Sequence, residues 1–263
     1  MTDLTVGLIN NMPDSAFEAT ELQFRTLLEA AADGPVQLRL TGLPEVPRAD
    51  SAAAHFAAQY QPLEDFMRDP PDALIVTGTE PLASDLRAEP YWSSLTRLLD
   101  WSQSRRLPSI WSCLAAHAAV LHLSGIGRTR LEHKCFGVFE HSVEGHHPLM
   151  TNIAAPLATP HSRWNDLAVA KLRSAGYTIL SEAKDLGANI FMMHRGGAQM
   201  VFLQGHPEYQ SDTLLKEYRR DIGRYVRARQ PFYPTLPHGY FPAATVVLLE
   251  QFRKRAEADR RPQ

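Results

Sequence analysis

Short apolar runs alternate with amphipathic stretches from the N-terminus onward, a pattern of strands joined by helices. Thr5 to Ile9 predicts a first strand ending in the turn-prone Asn10-Asn11-Met12-Pro13-Asp14. Ser15 and Glu18 then stand at capping-box spacing, and Phe17, Leu22, Phe24, Leu27 and Leu28 read as an apolar helical stripe. Val36 to Leu40 and Ala73 to Thr77 predict the next two strands, the second closed by Gly78. Trp92, Leu95, Leu98 and Leu99 fall at helical spacing before a fourth strand, Pro108 to Trp111, which delivers Cys113 to a sheet edge. Leu114 to Leu123, rich in Ala and Leu, predicts a helix that stops near Gly125. Further strands are predicted at Phe136 to Val143, Tyr177 to Ser181, Asn189 to His194 and Met200 to Leu203. A helix from Ser211 carries Leu214, Tyr218, Ile222 and Val226 at steps of four, and a last helix covers Thr245 to Ala258. The order predicts an α/β, flavodoxin-like domain: a mainly parallel sheet with helices on both faces.

Composition leaves that picture intact and removes competing classes. The chain has 263 residues, 44% hydrophobic and 21% charged, so one domain over 1–263 is expected, with 231–263 as a C-terminal loop and helix. The proline-rich segment from Pro231 to Pro242 is expected to fold over the sheet edge where ligands bind in such folds. With 27 Lys and Arg against 29 Asp and Glu there is no broad basic field, so nucleic acid is not an expected partner. Two cysteines, Cys113 and Cys135, are too few for a disulfide framework and lack zinc spacing; with no apolar span for a membrane, a reduced, cytoplasmic protein without a metal is expected.

Cys113 carries the candidate chemistry. It lies between a strand and a helix, followed by the small Ala115 and Ala116, which permits a sharp turn that presents a thiol at a helix N-terminus. There the dipole favours the thiolate, and the backbone N–H of Leu114 is a natural oxyanion donor. In the extended His206-Pro207-Glu208 segment, side chains two apart point the same way, so Glu208 is placed to orient the His206 ring. The plainer alternatives are a buried apolar thiol, the reading given to Cys135, and a strand-end turn with a solvated His and Glu.

The residues from Cys113-Leu114-Ala115-Ala116-His117 to Gly125-Ile126, with Pro160-His161-Ser162-Arg163 and Gly205-His206-Pro207-Glu208-Tyr209, resemble the homoserine O-succinyltransferase/O-acetyltransferase family of methionine biosynthesis. Ile75-Val76-Thr77-Gly78, Tyr91-Trp92, Asp100-Trp101-Ser102, Lys134, Gly137 to His141, and Thr213 to Asp221 fall in the family's order, so the resemblance covers about residues 4 to 230. It implies a class I glutamine amidotransferase-like fold and a ping-pong acyl transfer. Cys113 would accept an acyl group from acyl-CoA as a thioester, and His206, oriented by Glu208, would deprotonate the hydroxyl of homoserine or a related hydroxy amino acid. Arg220 would hold the acceptor carboxylate, assisted by Arg163 and Ser162, with Lys134 nearby. No bound cofactor is implied. The expected partners are the small-molecule substrates, with a homodimer as the assembly to consider.

The chain departs from the family in three places. Where members carry basic residues after the first Met-Pro, this sequence has Asp14 and Ser15, so the oxyanion is left to backbone donors unless Asp14 points away. The segments before the first strand and after Pro234 are shorter than in typical members, which bears on the acceptor pocket and subunit contacts. At the position that sets acyl choice, alignment puts Leu82, with Ala83 beside it; Leu82 brings no charge against a succinyl carboxylate, so succinyl is favoured over acetyl. Two other functions use the same residues: a glutaminase with a Cys-His-Glu triad, disfavoured because glycines do not flank Cys113, and a non-catalytic binding member.

Overall fold

β-branched and leucine-rich runs become strands, and alanine- and leucine-rich runs become helices, in the computed structural model, which describes residues 4–259. The order is β1 (Leu4–Ile9), α1 (Asp14–Ala31), β2 (Val36–Thr41), α2 (Asp50–Gln59), α3 (Leu63–Arg68), β3 (Ala73–Val76), α4 (Trp92–Ser104), β4 (Ser109–Ser112), α5 (Leu114–Ser124) and β5 (Thr129–Val143). It continues with β6 (Leu157–Asp166), α6 (Val169–Ser174), β7 (Thr178–Ala183), β8 (Gly187–Arg195), β9 (Ala198–Leu203), α7 (Thr213–Val226) and α8 (Ala243–Asp259). The strands form one sheet in the order β2-β1-β3-β4-β9-β8-β7-β5-β6. From β2 to β9 the neighbours run parallel. From β9 to β6 they run antiparallel, which needs only short connections such as the Gly196-Gly197 turn between β8 and β9.

Alternation along the parallel strands sorts the core onto two faces. Val6, Leu8 and Ile75 join Phe17 and Phe24 of α1 on one side. Ile9, Leu74, Val76 and Trp111 meet α4, α5 and α6 on the other. Phe136 of β5 packs under Leu214 and Tyr218 of α7, together with Tyr233, Tyr240 and Phe241 of the proline-rich segment. That segment docks on β5 itself: His238 N–H donates to Phe136 O at 2.9 Å and Val138 N–H to His238 O at 2.8 Å. No helix among the described residues is long and apolar enough to cross a membrane.

Several local expectations are corrected. Pro13 takes the N-cap of α1 and no side chain caps it, so the Ser15 and Glu18 box does not form. Leu22 is 55% exposed because it lies about 140° around the helix from Phe17; Thr20 and Gln23 are buried instead. Strict steps of four likewise drift off the buried face of α7, so Tyr225 is buried and Val226 is 60% exposed. Strand β6 was hidden by Pro160, which is tolerated because β6 is the sheet's edge.

Candidate active site

Cys113 joins β4 to α5 with φ 53° and ψ −114°, a conformation that side-chain-bearing residues rarely adopt. Its surroundings impose the turn. Cys113 N–H donates to Leu203 O, the last residue of β9, at 2.7 Å. Ala115 and Ala116 are buried, allowing α5 to press on the sheet. On the other flank the backbone of Gly78 touches the start of α5: a Cβ there would lie 2.5 Å from Leu114 Cβ and 2.9 Å from Leu114 N. Glycine alone fits that approach, a requirement the sequence reading missed. The thiol therefore stands at the first turn of α5, whose leading N–H groups have no acceptor within the helix.

The base arrives from the neighbouring strand. After β9, Gln204 N–H donates to Asn189 O at 2.9 Å and His206 N–H to Pro160 O at 2.8 Å, which hooks the segment over the ends of β8 and β6. Gly205 makes the bend possible, since a Cβ would sit 2.5 Å from Thr159 Cγ2 and 2.6 Å from Asn189 Oδ1. His206 Nδ1 lies 2.8 Å from Glu208 Oε1. An ionised carboxylate only accepts, so Nδ1 carries a proton toward Glu208 and Nε2 is left for exchange with Cys113, whose sulfur acts on the ring. Burial alone would pull the imidazole down, but the Glu208 carboxylate and the Cys113 sulfur outweigh it and hold His206 well above the ordinary histidine range. The Tyr209 ring stacks on His206 with centroids 4.4 Å apart and 18° between planes.

Behind this centre runs a buried polar chain. His117, one turn into α5, meets Gln204 Oε1 through Nε2 at 2.8 Å. Gln204 Nε2 donates to Asp166 Oδ1 at 2.9 Å and to Ala188 O at 2.6 Å, so Oε1 is the acceptor and His117 Nε2 the donor. Burial pushes His117 down to about 4, keeping it neutral. Arg163 sits in the same layer, 4% exposed, donating to Asn165 O, Asp166 Oδ1 and the Leu186 carbonyl, with His161 Nδ1 at 3.4 Å.

Ser162, Lys134 and Arg220 converge on one helix face. Ser162 Oγ donates to Glu217 Oε2 and Tyr209 Oη to Glu217 Oε1, both at 2.5 Å. Lys134 Nζ lies 3.6 Å from Glu217 Oε2 and 3.5 Å from Asp221 Oδ2. Arg220 Nε donates to Asp221 Oδ1 at 2.9 Å, and its guanidinium comes within 3.8 Å of Glu217. Burial opposes the charge on Glu217, yet Lys134 and the two hydroxyl donors keep its carboxyl below the usual range. Glu217 escaped the sequence reading; the i, i+4 pair Glu217 and Asp221 beside Arg220 was the available signal.

The loop after β3 carries Leu82 and Ala83. Leu82 is 85% exposed, and Ala83 N–H donates to Glu89 Oε1 at 2.6 Å. Asp14 is turned away: it accepts from Ala49 N–H at 2.7 Å and pairs with Arg48 at 3.3 Å.

An α/β sheet with a cysteine elbow and a histidine–carboxylate pair at adjacent strand ends is the architecture of class I glutamine amidotransferases. The chain superposes on a glutamine amidotransferase from Thermotoga maritima with a TM-score of 0.59 at 12% identity, over 98% of this chain and 94% of that one. A glutamine amido transferase from Methylobacillus flagellatus gives 0.57 at 13% identity, over 98% and 92%. At such identities the likeness shows the fold. Sequence defines the family: the model described as homoserine O-succinyltransferase matches residues 1–259. Homoserine O-succinyltransferase from Methylorubrum extorquens is 46% identical over 260 residues, 98% of this chain and 77% of that protein. The Bradyrhizobium japonicum enzyme of that name is 44% identical over 262 residues, 99% of this chain and 80% of its own length. This chain belongs to the homoserine O-succinyltransferase family.

Proposed function

We propose that the protein transfers a succinyl group from succinyl-CoA to the hydroxyl of homoserine through a thioester on Cys113. The observation that carries the reading is the half-buried Cys113 beside the buried His206 and Glu208 pair, joined to the charged face of α7 through Tyr209, which stacks on His206 and donates to Glu217. The Cys113 thiolate attacks the thioester carbonyl of succinyl-CoA, and the Leu114 N–H, next to the close-packed Gly78 backbone, receives the oxyanion. Collapse expels CoA, which takes its proton from His206, and leaves succinyl-Cys113. The acceptor hydroxyl then attacks the new thioester while His206 Nε2 takes its proton; Cys113 leaves as thiolate, and the product is the O-succinyl ester. Glu208 keeps the ring in the required tautomer throughout.

An amino-acid acceptor is a zwitterion, and the α7 wall offers one group for each charge. Arg220 holds the carboxylate, and Glu217, steadied by Ser162, Tyr209 and Lys134, holds the ammonium group. Arg163 serves as a strut behind the site, because its donors are spent on backbone and Asp166. Leu82 and Ala83 belong to the acyl-facing loop. Intact-protein mass spectrometry after mixing with succinyl-CoA tests the chemistry. One hydroxylamine-labile succinyl adduct is expected, lost in Cys113→Ala, kept in Cys135→Ala and discharged by homoserine. An adduct that persists in Cys113→Ala overturns the nucleophile; ammonia released from glutamine instead would favour an amidotransferase reaction.

A further inference from the structure

We propose that Arg128 selects the acyl donor by pairing with the terminal carboxylate of the succinyl chain carried on Cys113. The inference rests on the thioester reading above and adds the group that distinguishes a dicarboxylic acyl chain from a neutral one.

Arg128 lies in the short connection between α5 and β5, and its side chain reaches the loop after β3. Its Nη2 donates to the carbonyls of Ala83 and Ser84, at 3.3 and 3.4 Å. These long bonds aim the guanidinium without consuming it, and Nη1 is buried with no hydrogen-bond partner. A buried guanidinium nitrogen without an acceptor is costly, and the cost is relieved by an anion. Two neighbours share the condition. The Tyr91 hydroxyl and Glu89 Oε2 are also buried and unpartnered, while Glu89 Oε1 is held by Ala83 N–H. The only side-chain hydrogen bonds of Arg128 among the described residues go to the two carbonyls, and the Glu89 carboxylate acts on the guanidinium without a direct contact, which leaves Nη1 open to a ligand's acceptor.

Tyr91 links the cluster to the nucleophile's end of α5. Tyr91 lines a narrow cleft with Thr77, Gly78, Thr79, Leu114 and Ala115, so the cleft runs along the first residues of α5 next to Cys113. Burial pulls the Arg128 guanidinium below its ordinary range, and Tyr91 and Glu89 act most strongly against that pull. An acyl chain whose carbonyl is held at the Leu114 N–H and whose two methylenes lie along this wall ends at the guanidinium. Arg128 Nη1 and the Tyr91 hydroxyl then both donate to its carboxylate, completing two groups that otherwise have no partner.

The test compares succinyl-CoA with butyryl-CoA, which has the same chain length with a methyl in place of the carboxylate. Rates of adduct formation on Cys113 are followed by quenched-flow mass spectrometry. Wild type is expected to prefer succinyl-CoA, and Arg128→Met to reduce the succinyl-to-butyryl rate ratio by roughly 10- to 100-fold, with Arg128→Lys keeping part of the preference. Equal loss with both donors in Arg128→Met would overturn the assignment, making Arg128 a brace for the loop or a contact for CoA. Loss of folding would lower both rates together and show as a changed thermal melt, and the ratio in Arg128→Lys would then decide. If wild type forms no adduct with either donor, the thioester reading itself is wrong and this inference falls with it. An adduct with both donors and no preference would leave the thioester standing and remove Arg128 alone.

Discussion

The Cys113, His206 and Glu208 centre and the charged face of α7 meet at Tyr209, which stacks on His206 and donates to Glu217, yet they are held in different ways. Cys113 is fixed by a backbone bond to Leu203, and His206 by one to Pro160, so both reacting residues inherit their places from neighbouring strand ends. Close glycine contacts at Gly78 and Gly205 secure the same turns. The α7 face proposed for the acceptor is instead a mesh of side chains from β5, β6 and α7, in which Glu217 is shared by Ser162, Tyr209, Lys134 and Arg220. Main-chain placement survives large changes of sequence, which fits a fold shared with amidotransferases at 12% identity. Side-chain placement changes with each residue. On the proposed reading, the chemistry would then go with the fold and the choice of substrate with the mesh.

The sharpest way to break this comparison is at the His206 and Glu208 pair. Glu208→Gln should lower turnover by roughly 10²- to 10⁴-fold, and His206→Asn should approach the Cys113→Ala floor. The pair also predicts a pH signature. His206 is raised above its unfolded value, so its stabilising contribution is complete below about pH 6.5 and fades as the pH rises through the folded value. The melting temperature of wild type minus that of Glu208→Gln should accordingly be largest near pH 6 and shrink toward alkaline pH. A difference that is flat with pH, or a Glu208→Gln enzyme with full turnover, would remove Glu208 from the centre.

The same division decides what was readable in the sequence. Cys113, His206 and Glu208 stand beside strand signals and turn residues, so local pattern made them candidates and the family resemblance joined them into one site, while the helix after Cys113 ends at Gly125 as expected. Strand β6 was not readable because its proline argues against a strand unless the edge position is known. Helices α3 and α6, six residues each, are too short to show a period, and α2 is too uniformly alanine-rich to show a face. Arg163 is the instructive site residue: its sequence position matched the acceptor set, but only coordinates reveal that its guanidinium is spent inside the framework. Glu217 shows the converse, a central acid whose partners lie 83, 55 and 8 positions away in Lys134, Ser162 and Tyr209, beyond any local pattern.

A second test sits on the side-chain mesh, where effects should be smaller and confined to one half-reaction. Arg220→Lys keeps the charge but loses the planar fork, so the KM for homoserine should rise by roughly 10- to 100-fold while adduct formation from succinyl-CoA continues. Separate single-turnover measurements of acylation and transfer check it. Blocked acylation with unchanged homoserine affinity would place Arg220 on the donor side and collapse the distinction between centre and wall.

The smallest effect is expected at Leu82, where the comparison between fixed centre and adjustable wall is most finely drawn. Leu82 is 85% exposed and packs against nothing that the fold needs, so Leu82→Glu should leave thermal stability within about 0.5 kcal/mol of wild type. Its neighbour Ala83 holds Glu89 and accepts from Arg128, which places the new carboxylate at the rim of the loop proposed to face the acyl chain. There it competes for the Arg128 guanidinium and repels a succinyl carboxylate. Solvent exposure and salt screen that repulsion, so succinyl adduct formation should slow by only roughly 3- to 10-fold, and by less at high ionic strength. Butyryl adduct formation, which involves no second charge, should change less. Equal slowing of both donors, unaffected by salt, would mean that the loop acts by shape alone and that electrostatics at this wall do not choose the acyl group.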